Sequence, residues 1–399
     1  MHIDINSCFA TIEQQANPLL RGKPVAVAAY VKDYGCILAA SYEAKRLGVK
    51  TGMRVKEGRM LAPRLIVLPP DPPKYRAVNK QLFALLSFYT PHISVESIDE
   101  MVMKLSQPEA GRPLAENIAK DIKQRIKKEI GEWITVSIGI APNRYLAKVA
   151  SGLEKPDGLV AITQENVIET FGNMQLTDFC GIKEGNAGRL RAAGIRTPLE
   201  FFRASTADLK RAFRSIVGYQ WWLRLHGYED GVMYKDFEKD REEEQKSFGQ
   251  SYALGRPYLA SDPRLWQILT QLVMKMGRRL RHDGFVAYGA GISLLFGGYT
   301  HWHTQEKHAA PLCTDRDFFL VFRQMLEAAP MKEIKLLAIY CYALARDLQG
   351  SLLLEDAKNR EVSRALDKIQ DRFGDFIIHP ARMLAMEQKV LDRIAFGKV

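Results

Sequence analysis

Two runs that alternate apolar and polar residues stand only four positions apart in this chain. One is His92-Ile93-Ser94-Val95-Glu96 and the other is Met101-Val102-Met103-Lys104-Leu105, with Ser97-Ile98-Asp99-Glu100 between them. Period-two runs so close together predict an antiparallel β-hairpin. Helix-period segments flank it, at about 74–89 and 114–130. A strand over 1–5, in which Ile3 and Ile5 alternate with His2 and Asp4, opens the series, and one over 134–140 closes it. With residues 11–70 set aside as an insertion, the order is β-α-β-β-α-β, the ferredoxin-like arrangement. That order places the first strand beside the third.

The insertion has its own pattern. Short apolar runs at 25–28 and 36–39 predict strands, and 41–47 a helix closed by Gly48. Pro69, Pro70, Pro72 and Pro73 predict a sharp connector before the helix that begins near Lys74. Residues 163–230 read as short helices with glycine turns. Residues 235–246 are almost all charged and predict a solvated linker. Beyond them a second series follows: strand 250–254, helix 263–281, strands 287–296 and 300–308, helix 315–328, strand 334–344. This second unit reads as sharing the topology of the first, but its hairpin turn, Leu295-Phe296-Gly297-Gly298-Tyr299, carries no carboxylate.

The acidic chemistry is therefore confined to the first unit. Neighbours on a regular strand point to opposite faces, so Asp99 and Glu100 converge only where a hairpin tip breaks the alternation. The topology brings Asp4 to the same rim. Three crowded carboxylates repel and are costly to bury without cations. Hard oxygen ligands suit Mg²⁺, and two such ions about 3.5–4 Å apart clamp an in-line phosphoryl displacement. Taken singly, Asp99-Glu100 is also what an ordinary polar turn contains, and Asp4 what a strand edge contains.

Charge agrees with a phosphate-bearing partner. Lys and Arg number 57 against 46 Asp and Glu, a formal net charge of +11, which favours polyanions. No window approaches 18 uninterrupted apolar residues and no basic-then-apolar leader opens the sequence, so the expectation is a cytoplasmic chain with no membrane contact. Cys8, Cys36, Cys180, Cys313 and Cys341 are odd in number, spread out and form no C-x-x-C. That pattern predicts reduced thiols rather than disulfides or a cysteine zinc site. His301, His303 and His308 read as surface or nucleic-acid contacts rather than a metal site.

Several segments, taken in order, carry a resemblance. They are Asp4-Ile5-Asn6-Ser7-Cys8-Phe9-Ala10, Ala40-Ser41-Tyr42-Glu43-Ala44-Lys45-Arg46-Leu47-Gly48-Val49, Ser97-Ile98-Asp99-Glu100, Ser137-Ile138-Gly139-Ile140-Ala141 with Lys148-Val149-Ala150-Ser151, and Lys155-Pro156-Asp157-Gly158. Together they resemble the Y-family translesion DNA polymerases, including the DNA polymerase IV and UmuC branches. The resemblance covers roughly residues 1–350.

It implies an α+β multidomain right-hand polymerase. The ferredoxin-like palm would be 1–10 and 71–162, small fingers 11–70, a helical thumb with a helix-hairpin-helix 163–232, and a linker 233–246. A β-α-β-β-α-β little finger would be 247–346 and a C-terminal tail 347–399. Asp4, Asp99 and Glu100, with the Ile5 carbonyl, would hold two Mg²⁺ ions, Mn²⁺ being a substitute. The primer 3′-OH would attack the α-phosphate of a deoxynucleoside triphosphate, copying past damaged bases on primer-template DNA. Phe9 falls at the steric-gate position, where a bulky ring excludes a 2′-OH; without the motif it reads as a core aromatic. The amides of Cys8 and Phe9, with Tyr42, Lys45 and Lys155, match triphosphate-binding positions; the bland reading of Tyr42 and Lys45, three apart on one helix face, is an exposed face with a solvated lysine.

There are departures from the family pattern. Lys45 stands where many relatives have Arg, Ala39 where many have Thr, and Asn6 where Asp is frequent, which implies altered nucleotide affinity rather than inactivity. Cys36 and Leu38 would lie over the replicating base pair, although strand packing explains them as well. Gly181, Lys183 and Gly185 resemble the thumb hairpin that holds a DNA phosphate, with Lys183 in place of a usual Gly. Arg256 and Lys307 would line the DNA face of the little finger, while Arg278, Arg279 and Arg281 read as a solvated helix face. Leu348-Gln349-Gly350-Ser351-Leu352-Leu353-Leu354 is a loose match to a sliding-clamp peptide. A monomer is expected. The other readings weighed are a catalytically inactive Y-family-like accessory protein and a nucleotidyl cyclase, which also uses paired acids on such a sheet. All three carboxylates are present, and the later regions do not suit a cyclase.

Overall fold

The computed structural model describes residues 1–105, 111–231, 246–346, 354–384, 386 and 389–390. The chain divides into two compact units near residue 242.

In the first unit, β1 (His2–Ile5) runs into α1 (Cys8–Ala16). A small sheet follows, of β2 (Val25–Ala28), β3 (Ile37–Ala40) and β4 (Ile66–Leu68), with α2 (Tyr42–Arg46) and α3 (Val55–Leu61). It closes its own apolar core around Ala26, Ile37, Ala44, Val49 and Val55. Then come α4 (Pro72–Leu86), the hairpin β5 (Ile93–Val95) and β6 (Glu100–Met103), α5 (Arg112–Arg125), β7 (Val136–Ile140), α6 (Arg144–Leu153) and β8 (Leu159–Ala161). Pro72 and Pro73 open α4 instead of sitting in the connector. Asp71 caps the helix by accepting from the Lys74 N–H at 3.2 Å, and proline is suited to the first turn because its missing N–H would have no helical acceptor there.

The sheet order is β5-β6-β1-β7-β8. The β-α-β-β-α-β reading holds, with β8 added in parallel beside β7. Gly139 on β7 is required by close packing: a Cβ there would stand 2.0 Å from the Ala147 carbonyl oxygen of α6. The remaining helices, α7 (Val167–Gly172), α8 (Glu184–Ala192), α9 (Pro198–Arg203), α10 (Thr206–Phe213) and α11 (Val217–Leu225), enclose an aromatic core of Phe171, Phe179, Phe201 and Trp221, which α6 joins through Tyr145 and Val149.

The second unit contains β9 (Ser247–Tyr258), α12 (Pro263–His282), β10 (Phe285–Phe296), β11 (His301–Leu312), α13 (Asp315–Glu327), β12 (Ile334–Arg346) and α14 (Leu354–Phe373). Its order is β11-β10-β12-β9. Two expectations are corrected here. The connectivity repeats that of the first unit, but the strand order does not: the opening strand β9 is an edge, whereas β1 is central. Nor are Arg278 and Arg281 solvated. The Arg281 side chain is 4% exposed, held by Asp367 at 2.7 Å and Asp315 at 2.9 Å, and Arg278 pairs with Asp375 at 2.6 Å. An aspartate-bearing C-terminal segment thus packs on α12, a contact between residues some 86 positions apart. Residues 233–245 and the clamp-like residues 349–353 lie outside the described residues.

Candidate active site

Pairing of β1 with β6 sets the geometry. Asp4 and Glu100 are register partners, and the Ile5 N–H donates to the Asp99 carbonyl at 2.9 Å. The hairpin tip is shaped by Ser97, whose hydroxyl donates to Asp99 Oδ1 at 2.5 Å and accepts from the Glu100 N–H at 3.1 Å. Behind it, Asn79 donates to the Ile98 carbonyl at 3.0 Å. The rim thus carries Asp4, Asp99 and Glu100 together, as the topology predicted.

Each carboxylate has its own partner. Lys155 Nζ donates to Asp4 Oδ2 at 2.7 Å and Lys148 Nζ to Glu100 Oε2 at 2.6 Å, while Asp99 takes the Ser97 proton. Among the described residues no group of three or more His, Cys, Asp or Glu side chains stands where it could hold a metal ion as it is. The donor set nevertheless suits a hard cation: all its atoms are oxygens, and two carboxylates are held by lysines on separate segments that a divalent ion can displace. Asp4 shows the electrostatic cost. Burial, with Glu100 and Asp99 adding to it against the pull of Lys155, raises its carboxyl from 3.8 to about 6. His2 is kept neutral by burial and by Lys148, and its Nδ1 meets Ser151 Oγ at 3.0 Å.

The sign of this shift gives a prediction. Between 3.8 and about 6 the folded chain holds the Asp4 proton more tightly than the unfolded chain does. Without a cation, stability is therefore lost as pH rises through that window. An ion that binds the carboxylate offsets this, so Mg²⁺ should raise Tm more at about pH 7.5 than at about pH 5. Equal shifts in a thermal melt at the two pH values would remove Asp4 from the ligand set.

The predicted nucleotide positions gather around the same rim. The backbone N–H groups of Cys8 and Phe9 lie in the first turn of α1, where a helix leaves N–H groups without an internal acceptor; Ser7 precedes them at φ +50°. Lys45 Nζ stands 4.5 Å from the centre of the Tyr42 ring. Burial lowers the Lys45 ammonium, with Lys155 adding to this and Asp4 opposing it; burial and Asp4 raise the Tyr42 hydroxyl. Phe9 is 2% exposed and stacks on Tyr75, ring centres 4.6 Å apart, so it belongs to the core under the first sheet as well as standing beside the rim.

The residues expected to contact DNA are dispersed. Gly181, at φ +90°, follows a single 3₁₀ turn (Leu176–Asp178), and Lys183 caps α8, with Gly185 in its first turn beside open space. Lys307 lies on the edge strand β11, in the row of His301, His303 and Gln305 that alternation turns to one face. Arg256 is on the opposite edge strand β9, its guanidinium 5.4 Å from the Tyr258 ring centre. Between the edges, Tyr340 and Tyr342 lie across Gly291 and Gly289 and donate to Gln305 Oε1 at 3.0 Å and the Glu306 carbonyl at 3.2 Å. Sequence reasoning missed Asn79, Ser97 as organiser of the tip, and the Lys148–Glu100 pair. Asn79 was discoverable as a polar residue on the apolar Tyr75–Leu82–Leu86 face of α4.

The impB/mucB/samB family matches residues 3–152 and its C-terminal domain matches residues 245–354. DNA polymerase IV 1 of Bacillus subtilis is 31% identical over the whole chain and 96% of its own length. DNA polymerase IV of Bacteroides fragilis is 32% identical over 70% of this chain and 75% of its own. Among solved structures, a Y-family DNA polymerase chimera superposes with a TM-score of 0.73 at 23% identity, over 86% of this chain and 98% of that one. DinB from Sulfolobus solfataricus gives 0.53 at the same identity and 86% coverage of this chain.

Proposed function

The chain belongs to the impB/mucB/samB family of Y-family DNA polymerases, and from that premise we propose that it is a DNA-directed DNA polymerase that copies past damaged template bases by two-metal-ion nucleotidyl transfer. The observation that carries the reading is the register match of Asp4 with Glu100, with Asp99 bonded alongside through Ile5. Asp4, Asp99, Glu100 and the Ile5 carbonyl are the groups to hold the divalent ions. Bound there, such ions neutralise phosphate charge and lower the pKa of the primer 3′-OH.

The chain's own residues do the rest. The first-turn amides of Cys8 and Phe9, the Tyr42 hydroxyl and the Lys45 and Lys155 ammonium groups bind and orient the triphosphate. Lys155 leaves Asp4 for a phosphate oxygen as the nucleotide arrives. The 3′-oxygen forms a bond to the α-phosphorus, the bond to the pyrophosphate oxygen breaks, and the 3′ proton passes to water. The Phe9 ring excludes a ribose 2′-OH.

Gly181, Lys183 and Gly185, with the sheet bearing Lys307 and Arg256, contact the DNA backbone without reading sequence, so binding should weaken steeply with salt. Residues 348–354 are the proposed clamp-binding peptide, on sequence alone.

The test is primer extension with Mg²⁺ on templates with and without an abasic site or bulky adduct. Extension through the lesion is expected. Copying of intact template that stops one base before every lesion would overturn the bypass assignment. Absence of any extension would leave the inactive accessory reading.

A further inference from the structure

The loop that carries Lys155 is held by a buried side-chain clip that begins two residues after Asp4. Asn6 is 1% exposed and Ser137 is wholly buried. Asn6 Oδ1 accepts from the Asp157 N–H at 2.7 Å, and its Nδ2 donates to Ser137 Oγ at 2.9 Å. The Asp157 N–H can only donate, which settles the amide's orientation. Ser137 Oγ also accepts from the Gly158 N–H at 3.3 Å and donates to the Glu154 carbonyl at 3.2 Å. A serine hydroxyl has one proton and two lone pairs, so all of its capacity is used.

Other contacts leave the loop little freedom. Lys123 donates to the Asp157 and Gly158 carbonyls and pairs with the Asp157 carboxylate at 3.1 Å. A Cβ on Gly158 would stand 1.8 Å from the Glu154 carbonyl oxygen. Ser137 is the register partner of Asp4 on β7. The clip therefore ties the metal-side strand to the loop whose lysine reaches Asp4.

We propose that Asn6, acting through Ser137, is a positioning residue for the incoming nucleotide: it holds residues 154–158 so that the Lys155 ammonium is aimed at the triphosphate. The assignment rests on the polymerase reading above. It also accounts for an amide at this position. A carboxylate there would need the Ser137 proton, which is committed to Glu154, and would add a negative charge near Asp4.

Single-nucleotide incorporation by Asn6→Ala, Asn6→Asp, Lys155→Ala and the Asn6→Ala/Lys155→Ala double variant tests this. Asn6→Ala should raise the nucleotide KM about tenfold, with kcat and primer-template Kd changed by less than about threefold. Asn6→Asp keeps the acceptor for the Asp157 N–H and should raise KM less. In the Lys155→Ala background, Asn6→Ala should add less than about twofold, because the loop has no ammonium left to aim. Should Asn6→Ala fail to fold, Asn6→Asp and Ser137→Ala carry the same test.

A fall in kcat at unchanged KM, or the full effect persisting on top of Lys155→Ala, would overturn the proposal. The wild-type control separates the two levels. If wild-type extends a primer and the Asn6 variants keep its KM, the positioning role alone fails. If wild-type does not extend, the polymerase reading and this assignment fall together.

Discussion

Asp99→Ala is expected to abolish primer extension, by at least about a thousandfold, while primer-template binding stays within about twofold. The residue sits at the tip of the β5–β6 hairpin and is not among the proposed DNA contacts, so its loss should not disturb DNA affinity. Alanine also removes the acceptor for the Ser97 proton, 2.5 Å away, and so confounds charge with tip geometry. Asp99→Asn separates them. Its Oδ1 still accepts from Ser97, the size is kept, and only the negative charge is gone. If Asp99 acts by holding cations, both variants lose extension to a similar degree. Activity retained by Asp99→Asn would mean that the carboxylate shapes the tip and does not serve the reaction.

Phe9→Ala is expected to raise ribonucleotide use, measured as the ratio of kcat/KM for a ribonucleotide to that for the matching deoxynucleotide, by roughly tenfold to a hundredfold. In the proposed gate role the ring excludes the 2′-OH by occupying space, and a methyl group would not. The structure adds a second consequence. Phe9 is also a core residue stacked on Tyr75, whose hydroxyl donates to Glu13 at 2.8 Å. Removing it opens a cavity and should cost about 3–5 kcal/mol of stability. Assays therefore belong well below the variant's Tm, with Phe9→Leu as a fuller-volume comparison that should relax the ratio less. An unchanged ratio in a folded Phe9→Ala variant would leave Phe9 as a packing residue only.

Much of the site was legible because its placement follows from local pattern plus one topological rule. Alternation at 92–105 gave the hairpin, alternation at 2–5 gave the first strand, and the ferredoxin-like order put Asp4 beside Glu100. What escaped the sequence was decided by long-range partners. Strand order in the second sheet is one such case, since the same connectivity admits more than one lateral order and β9 pairs only with β12 at its edge. Arg281 is another: on its own helix it resembles a surface arginine, and its aspartates lie at 315 and 367. The Asn6–Ser137 clip spans 131 residues, so the departure at Asn6 was visible in sequence while its hydroxyl partner was not. Pro72 and Pro73 were misplaced for a local reason, because proline both breaks a helix and starts one.

The central claim is that Asp4, Asp99 and Glu100 form one cation-holding rim. It is tested most directly by anomalous scattering from Mn²⁺ in crystals of the chain with primer-template and an incoming nucleotide. The account predicts manganese peaks between Asp4 and the hairpin-tip acids, with Lys155 drawn from Asp4 onto the triphosphate. Peaks confined to other sites, with Lys155 still bonded to Asp4 and Lys148 to Glu100, would contradict it.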